Sequence, residues 1–575
     1  MYEIIKDLIF NQKYSEAKTL IEKTTSDYDD TLAILDAEIC KNLHDLNGEF
    51  SAIQQGLTYN YKNYELYFML GEYYLSANPY QAFLCYEQAE YYCTEIEDLK
   101  IISQAKQALI DDGYFVPHLS IVILSYNCKE EMSLCLNSLK GTLPMDSCEI
   151  IVIDNASTDG VTDALKKEND IKLVCNSKNL GFPAGCNQGI KLSEPYNDIL
   201  LLNNDTVVTP NSIFWLRMGL YENTLIGATG SVSNSASNYQ QIEEVFDTPA
   251  AYMDFALKNN VPMSHPYEKK LRLIGFSLMI KRSVLDTIGL LDERFSPGNF
   301  EDDDLSYRII QAGYQLLLCK NSFIYHWGSR GFSKDYTAYH RLLETNALKF
   351  KKKWGFDAHY YSYERRSLTD AIKESKDASF NILEIGCGMG ATLGYLQNKY
   401  PNAHVYGIEL EQDIVTMAKN YIPSILQGDI EHMLLEYPDK HFDYILFPDV
   451  LEHLRNPMAV LKRLYHYLKD DGQILASIPN LMHYTVILDL LKGNFTYSES
   501  GILDKTHLRF FTQNEIIKLF LNCNYSITQL SGSYVRANLS AEDTAMYEAI
   551  LSLPGVASKD HFEVYQYFIE AKKCL

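Results

Sequence analysis

Residues 150–160 read Ile150-Ile151-Val152-Ile153-Asp154-Asn155-Ala156-Ser157-Thr158-Asp159-Gly160. Four consecutive apolar residues do not alternate between a wet and a dry face, so the run is expected as a buried strand of a parallel sheet. The polar cluster that follows stands where an open α/β sheet binds its ligands. The same grammar occurs upstream, where Ile121-Val122-Ile123-Leu124 leads into Ser125-Tyr126-Asn127. It returns downstream, where Ile199-Leu200-Leu201-Leu202 leads into Asn203-Asn204-Asp205, and it continues to about Phe350. Taken singly, each cluster is ordinary turn chemistry, since Asn, Asp, Ser and Gly are the usual turn residues.

A second α/β unit is expected from Phe380, with strands at Asn381–Glu384, His404–Ile408, Tyr444–Phe447 and Gln473–Ala476. Between the two units lies the basic stretch Lys349-Phe350-Lys351-Lys352-Lys353-Trp354, expected as a solvated helix end before a linker. Residues 1–112 differ from both units. They carry 20 Asp/Glu against 8 Lys/Arg, one proline (Pro79) and no strand pattern. Small residues recur at Ala17, Ala52 and Ala82, and Tyr67, Leu70, Gly71 and Tyr74 precede Ala82, Tyr86 and Ala89. This resembles a degenerate tetratricopeptide repeat, in which small residues let paired helices approach. The resemblance implies a docking surface for a protein partner or acceptor; an acidic helical spacer is the plainer alternative.

Composition bounds the rest. The chain has 575 residues, a net charge of −24, 46% hydrophobic and 22% charged residues, so it is a multidomain globular protein. The acidic balance argues against nucleic-acid binding. Twelve cysteines without a CxxC pair suit reduced thiols, and no apolar run spans a bilayer. The expected location is cytoplasmic, with a peripheral position at the inner membrane face left open. The expected division is 1–112 helical, 115–355 first α/β domain, 356–377 linker, 378–535 second α/β domain and 536–575 its C-terminal extension.

The segments SIVILSYN, IIVIDNASTDG, NLGFPAGCNQGI, DILLLNNDT, FEDDDLSYRIIQAGY and YHWGS together resemble inverting family-two glycosyltransferases of GT-A fold, closest to the rhamnosyltransferase-like branch. The resemblance implies a nucleoside-diphosphate sugar donor and a divalent cation, Mg²⁺ or Mn²⁺. Ser125, Asn127 and Asn204 would line the donor pocket, and Asp154 would accept a hydrogen bond from the base. Asn179, Gly185 and Asn187 would shape the donor loop, and Asp205 and His326 would meet the metal. Asp302 would be the general base and Glu301 an acceptor contact. The chemistry needs such a carboxylate, because a sugar hydroxyl is a poor nucleophile until its proton is accepted. Four acids in a row, Glu301 to Asp304, should also repel one another and raise one pKa, while Arg308 is placed to pair with Asp304 on a helix. Where the family carries DxD this chain has Asn203-x-Asp205, one charge fewer.

The second unit has Glu384-Ile385-Gly386-Cys387-Gly388-Met389-Gly390 after a strand, Glu409 at the end of the next strand and Asp429 after the third. A dinucleotide site would make similar demands. With QGDIE, FPDVLEHL and DKTHLRFF, the set resembles class I S-adenosylmethionine-dependent methyltransferases. That implies Gly386, Gly388 and Gly390 around the methionine part, Glu409 on the ribose and Asp429 near the adenine, with Glu384 as a further cofactor-binding residue. Asp449, Glu452 and His453 stand at i, i+3, i+4, expected on one helix face. Related O-methyltransferases hold a cation with ExxEH at this point, and here Asp449 replaces the first Glu. His453 or His507 could instead deprotonate an acceptor hydroxyl.

The fold class expected is therefore an all-α helical repeat followed by two α/β domains, a GT-A nucleotide-sugar fold and a Rossmann-like class I methyltransferase. The expected activity is bifunctional: sugar transfer to a surface glycan or a glycoprotein such as flagellin, and O-methylation of that glycan. Two alternatives stand beside it. One is a scaffold with a degenerate glycosyltransferase domain; the other is a methyltransferase acting on an unrelated protein or small molecule.

Overall fold

A computed structural model of the chain describes residues 1–23, 28–328 and 336–574. It divides into two compact units, Met1–Asp357 and Ala358–Leu575. The final serine of the YHWGS motif lies outside the described residues.

The first unit opens with seven helices among the described residues: α1 (Tyr2–Phe10), α2 (Tyr14–Glu22), α3 (Asp30–Asn42), α4 (Leu46–Tyr59), α5 (Tyr64–Leu75), α6 (Pro79–Tyr92) and α7 (Ile96–Asp111). Four of them start on a side-chain cap, Asp29, Asp45, Asn63 or Asn78, whose oxygen accepts an N–H of the first turn. Ala17, Ala52 and Ala82 are all buried, as their recurrence suggested. Gly71 marks the closest approach, because a Cβ there would come within 2.4 Å of the Tyr86 ring.

These helices do not stand apart from the sheet that follows. Phe214, Trp215 and Met218 of the helix Ser212–Leu220 share one apolar core with Leu66, Tyr67, Phe83 and Tyr86. A polar row on α6 completes the join. Gln81 donates to Met218 O (3.0 Å), Gln88 and Tyr92 both donate to Asn211 Oδ1 (3.1 and 2.9 Å), and Glu87 pairs with the buried Arg217. The helical region is thus continuous with the first sheet through α6.

That sheet has strands β1 (Leu119–Ser125), β2 (Cys148–Asp154), β3 (Ile171–Cys175), β4 (Asp198–Asn203), β5 (Thr206–Val208), β6 (Ile226–Val232), β7 (Tyr267–Lys270), β8 (Ser277–Ile280) and β9 (Gln315–His326). Their order is β3-β2-β1-β4-β8-β6-β9-β5, with β7 on β9. The β1–β4 core is parallel, as the continuous apolar runs predict, and β8 is antiparallel to both β4 and β6. In register, Ser125 lies opposite Asp154, so the two polar clusters open on one sheet edge.

The second unit holds β10 (Asn381–Ile385), β11 (His404–Glu409), β12 (Ile425–Gln427), β13 (Phe442–Pro448), β14 (Leu468–Pro479), β15 (Tyr525–Tyr534) and β16 (Val564–Lys573), in the order β12-β11-β10-β13-β14-β16-β15. The last ten-residue strand, from the segment expected as an extension, lies between β14 and β15 and is antiparallel to both. It reads as a strand only in place, because Val564, Tyr567, Ile569 and Ala571 are buried by neighbours that are distant in sequence. The segment expected as a linker also has structure. It carries short helices at Ala358–Tyr361 and Arg366–Thr369, and the Tyr361 carbonyl accepts from Met389 N at 2.9 Å.

Candidate functional site

In the first unit the residues expected around the donor form a polar web. Asn127 and Cys128 are consecutive left-handed residues (φ 59° and 63°) that turn the chain off β1. Asn127 N donates to Ser157 Oγ (2.8 Å), Thr158 N donates to Asn127 Oδ1 (2.9 Å), and Asn204 donates to Asn127 O (3.3 Å). Asp154 accepts from the Thr162 hydroxyl at 2.7 Å. Asn155, which the sequence did not single out, is 1% exposed and ties Asn176, Asn179 and Gly181 together. Ser125 is fully buried, and its hydroxyl has no hydrogen-bond partner among the described residues. Gly185 lets its helix approach β1, since a Cβ would reach Leu124 at 2.2 Å. Asn187 is committed elsewhere: its amide brackets Leu291 with two backbone hydrogen bonds and donates to Glu293.

Asp205 and His326 meet because β5 and β9 pair with Thr206 opposite His326. His326 Nε2 lies 3.2 Å from Asp205 Oδ1 and 3.4 Å from Asn203 Nδ2. Its Nδ1 lies 2.7 Å from Ser235 O, and a carbonyl can only accept, so Nδ1 carries the proton. That leaves Nε2 as a lone pair beside a carboxylate whenever the ring is neutral, a donor set that suits a divalent cation. Burial disfavours the imidazolium, but Asp205 outweighs it and the His326 pKa is raised. Phe276 stacks on the ring, with centroids 5.1 Å apart.

One residue before Phe276, the amide of Gly275 donates to Asp302 Oδ2 at 3.0 Å. The segment Gly275–Phe276 therefore joins His326 to the acidic helix Glu301–Gln311. The four acids have separated roles. Asp303 pairs with Arg272 (2.9 Å), and Asp304, fully buried, accepts from Arg308 (2.9 Å), Lys353 (2.5 Å) and Trp354 (2.9 Å). The expected Arg308–Asp304 pair is present. Lys353 and Trp354 belong to the stretch expected as a solvated helix end; there Lys353 instead bridges Asp304 and Asp292. Among the described residues, Asp302 and Glu301 have no cationic partner of this kind. Burial, reinforced by Asp303, pushes Asp302 up to about 6, and burial beside Asp302 holds Glu301 well above the carboxylate range. Glu301 Oε2 has no hydrogen-bond partner among the described residues.

In the second unit Gly386, Gly388 and Gly390 are all left-handed (φ 68°, 54° and 79°), a backbone that only glycine adopts freely. Glu409 closes this turn. Its Oε2 accepts from Gly388 N (2.8 Å), and Oε1 accepts from Leu410 N and Glu411 N. Burial pushes Glu384 up to about 8, and one of its carboxyl oxygens has no hydrogen-bond partner among the described residues. Burial opposes ionisation of Asp429 as well, but His432 at 2.6 Å lowers its pKa. A tight glycine turn flanked by two carboxylates fits the amino-acid and ribose parts of S-adenosylmethionine.

The i, i+3, i+4 expectation changes at Asp449. The residue is left-handed (φ 53°) and precedes only a short 3₁₀ turn, Leu451–His453, so no helix face unites the three residues. Asp449 turns away to pair with Arg365, Ser477 and Gln566. His507 takes its place: ligand atoms of Glu452, His453 and His507 all lie within 4.8 Å of one another. The Glu452 carbonyl accepts from Leu508 N and Arg509 N (both 2.9 Å), which brings the distant segment in. Both carboxylate oxygens of Glu452, 1% exposed, lack a hydrogen-bond partner among the described residues. His507 Nδ1 donates to Ile502 O (2.9 Å), and His453 Nδ1 faces Thr506 O (3.3 Å). Burial and the neighbouring His507 lower the His453 pKa, which keeps its imidazole neutral. Beyond this pair, Phe495, Tyr497 and Phe510 form a partly exposed aromatic cluster with centroids 5.5–6.5 Å apart. Its spacing along the chain is irregular, and sequence inspection missed it.

The "Glycosyl transferase family 2" profile matches residues 120–289, and the "Methyltransferase domain" profile matches residues 356–530. Malonyl-[acyl-carrier protein] O-methyltransferase 2 of Ilyobacter polytropus is 26% identical over 186 residues, 31% of this chain and 68% of the relative. Malonyl-[acyl-carrier protein] O-methyltransferase of Halalkalibacterium halodurans is 30% identical over 116 residues, 19% of this chain and 43% of the relative. Among solved structures, a mannosyltransferase of Pyrobaculum calidifontis in complex with GDP-Man and Mn²⁺ aligns with a TM-score of 0.32 and 14% identity, covering 60% of this chain and 86% of that one.

Proposed function

We propose that this chain, which carries a family 2 glycosyltransferase domain and an S-adenosylmethionine-dependent methyltransferase domain behind an N-terminal helical region, builds and methylates a glycan. The first domain transfers a hexose or deoxyhexose such as rhamnose, with inversion, from a nucleoside diphosphate to a surface glycan or glycoprotein. One observation carries this reading: Asp302, half-buried and raised to about 6, is held by Gly275, whose neighbour Phe276 stacks on the His326–Asp205 pair. Asp302 accepts the acceptor's hydroxyl proton while that oxygen bonds to the anomeric carbon. The anomeric carbon–oxygen bond to the diphosphate breaks as the new bond forms, so attack from the opposite face inverts the centre. Asp205 and His326 would hold a cation, which supplies positive charge to the leaving diphosphate.

In the second domain Glu409 and the glycine turn would hold S-adenosylmethionine, which would supply the methyl group. A hydroxyl acceptor needs its proton removed, which the neutral His453 can do; a carboxyl acceptor would not need a base. The aromatic cluster beside the histidines supports a sugar, whose C–H faces stack on such rings. A second reading of this corner is favoured by the unpartnered Glu452 carboxylate: Glu452, His453 and His507 would together hold a divalent cation that acidifies the hydroxyl. Covalent linkage of the two domains raises the local concentration of the first product for the second. The helical region offers a surface for a protein partner or protein acceptor.

A panel of UDP-, GDP- and dTDP-sugars, scored for diphosphate release with and without Mn²⁺, tests the first activity. Release from one donor is expected, and no release from any would contradict it.

A further inference from the structure

Asn346 lies in the middle of the helix Tyr336–Trp354 and is fully buried. Asparagine is a poor helix former, and a buried amide has to find partners. Its Nδ2 donates to three backbone carbonyls of one loop: Phe295 (2.8 Å), Gly298 (2.9 Å) and Asn299 (3.2 Å). Lys349 secures the arrangement from outside, donating to Asn346 Oδ1 and to Arg294 O, both at 2.8 Å.

This loop ends in two consecutive left-handed residues, Asn299 (φ 72°) and Phe300 (φ 74°), and Glu301 and Asp302 follow at once. Side-chain-bearing residues keep such a backbone only where their surroundings hold it. Asn299 does not do so alone: its own Nδ2 is buried without a hydrogen-bond partner among the described residues, while its Oδ1 accepts from Tyr339 on the bracing helix (3.3 Å). The same helix carries Lys353 and Trp354, which fix the acidic helix at Asp304. The two helices are therefore tied on both sides of Asp302, at the loop before it and at the residue two positions after it.

We infer that Asn346 is a positioning residue for glycosyl transfer, setting the loop Phe295–Phe300 so that Asp302 presents its carboxylate to the acceptor. The inference rests on Asp302 being the base. Among the described residues, the charged and titratable groups around Asp302 are Glu301, Asp303, Arg272 and Tyr339. None of these is altered by changing Asn346, so a shift in the pH profile would report movement of the carboxylate.

The test uses the full chain with Asn346→Ala and Asn346→Leu, neither of which adds a titratable group. UDP, GDP and dTDP binding is measured by calorimetry, and diphosphate release from the matching sugar donor is followed from pH 5 to pH 8. The expected result is diphosphate affinity within about twofold of wild type, kcat at least about tenfold lower, and a pH midpoint displaced toward the ordinary carboxylate range as Asp302 gains water. Unchanged kcat would overturn the inference. So would a loss of binding and turnover together with an unmoved midpoint, which would mark a merely structural side chain. Should both variants fail to fold, Lys349→Met, at the exposed end of the network, is expected to give a smaller fall with the same displacement; no displacement there would equally overturn it. A wild-type chain that releases no diphosphate from any donor would instead remove the glycosyl-transfer reading.

Discussion

Asp302 and Gly388 are single residues on which the two proposed sites depend. Burial and Asp303 raise Asp302 to about 6, and a general base works only when deprotonated. Sugar transfer should therefore fall as pH drops through about 6 and level off above it. Asp302→Asn should lower transfer by about 10²–10⁴-fold while leaving donor binding intact, measured as kcat against diphosphate affinity. Gly388 is left-handed, and a Cβ there would meet the Tyr361 carbonyl at 2.9 Å, a backbone atom with little room to yield. Gly388→Ala should weaken S-adenosylmethionine binding at least about tenfold by calorimetry, because the turn that positions Glu409 has to open. At this scale the sequence was informative where a residue ends a strand. Asp154, Asp205, Glu384 and Glu409 all sit at sheet edges or strand ends as their apolar runs implied. Asn346 and Arg365 were illegible, since their partners lie 47–51 and 84 positions away and nothing local marks them.

Whole elements follow a similar division. The parallel strands were legible because continuous apolar runs allow few other structures. The Asp449–His453 segment was misleading, because helical spacing was read where the chain makes a left-handed turn and a 3₁₀ turn. The α6 helix carries the clearest energetic consequence. Its Glu87 pairs with Arg217, a buried arginine that also donates to Pro117 O. Removing one partner leaves a charge buried and uncompensated, so Glu87→Ala should cost about 3–5 kcal/mol in chemical denaturation of the first unit. A surface glutamate would cost well under 1 kcal/mol. With its polar row on the sheet domain, α6 does not present that face to a partner; a docking surface would use other helices.

The whole molecule is two compact units, Met1–Asp357 and Ala358–Leu575, and no helix among the described residues is long and apolar enough to cross a membrane. The first domain boundary expected near residue 112 is crossed by a shared core, because Phe214 and Trp215 pack among the helices. The terminal segment proved equally integral, since β16 joins β14 to β15. A chain ending at residue 535 should therefore lose the second unit's cooperative melting and its S-adenosylmethionine binding, while diphosphate binding by the first unit persists. The proposed function requires two independent small-molecule sites in one polypeptide. Its most direct test is calorimetry on the full chain with a nucleoside diphosphate plus Mn²⁺ and, separately, with S-adenosylmethionine, for wild type, Asp205→Ala and Glu409→Ala. Asp205→Ala should lose only the diphosphate and Glu409→Ala only S-adenosylmethionine; wild-type protein that takes up neither ligand would contradict the account.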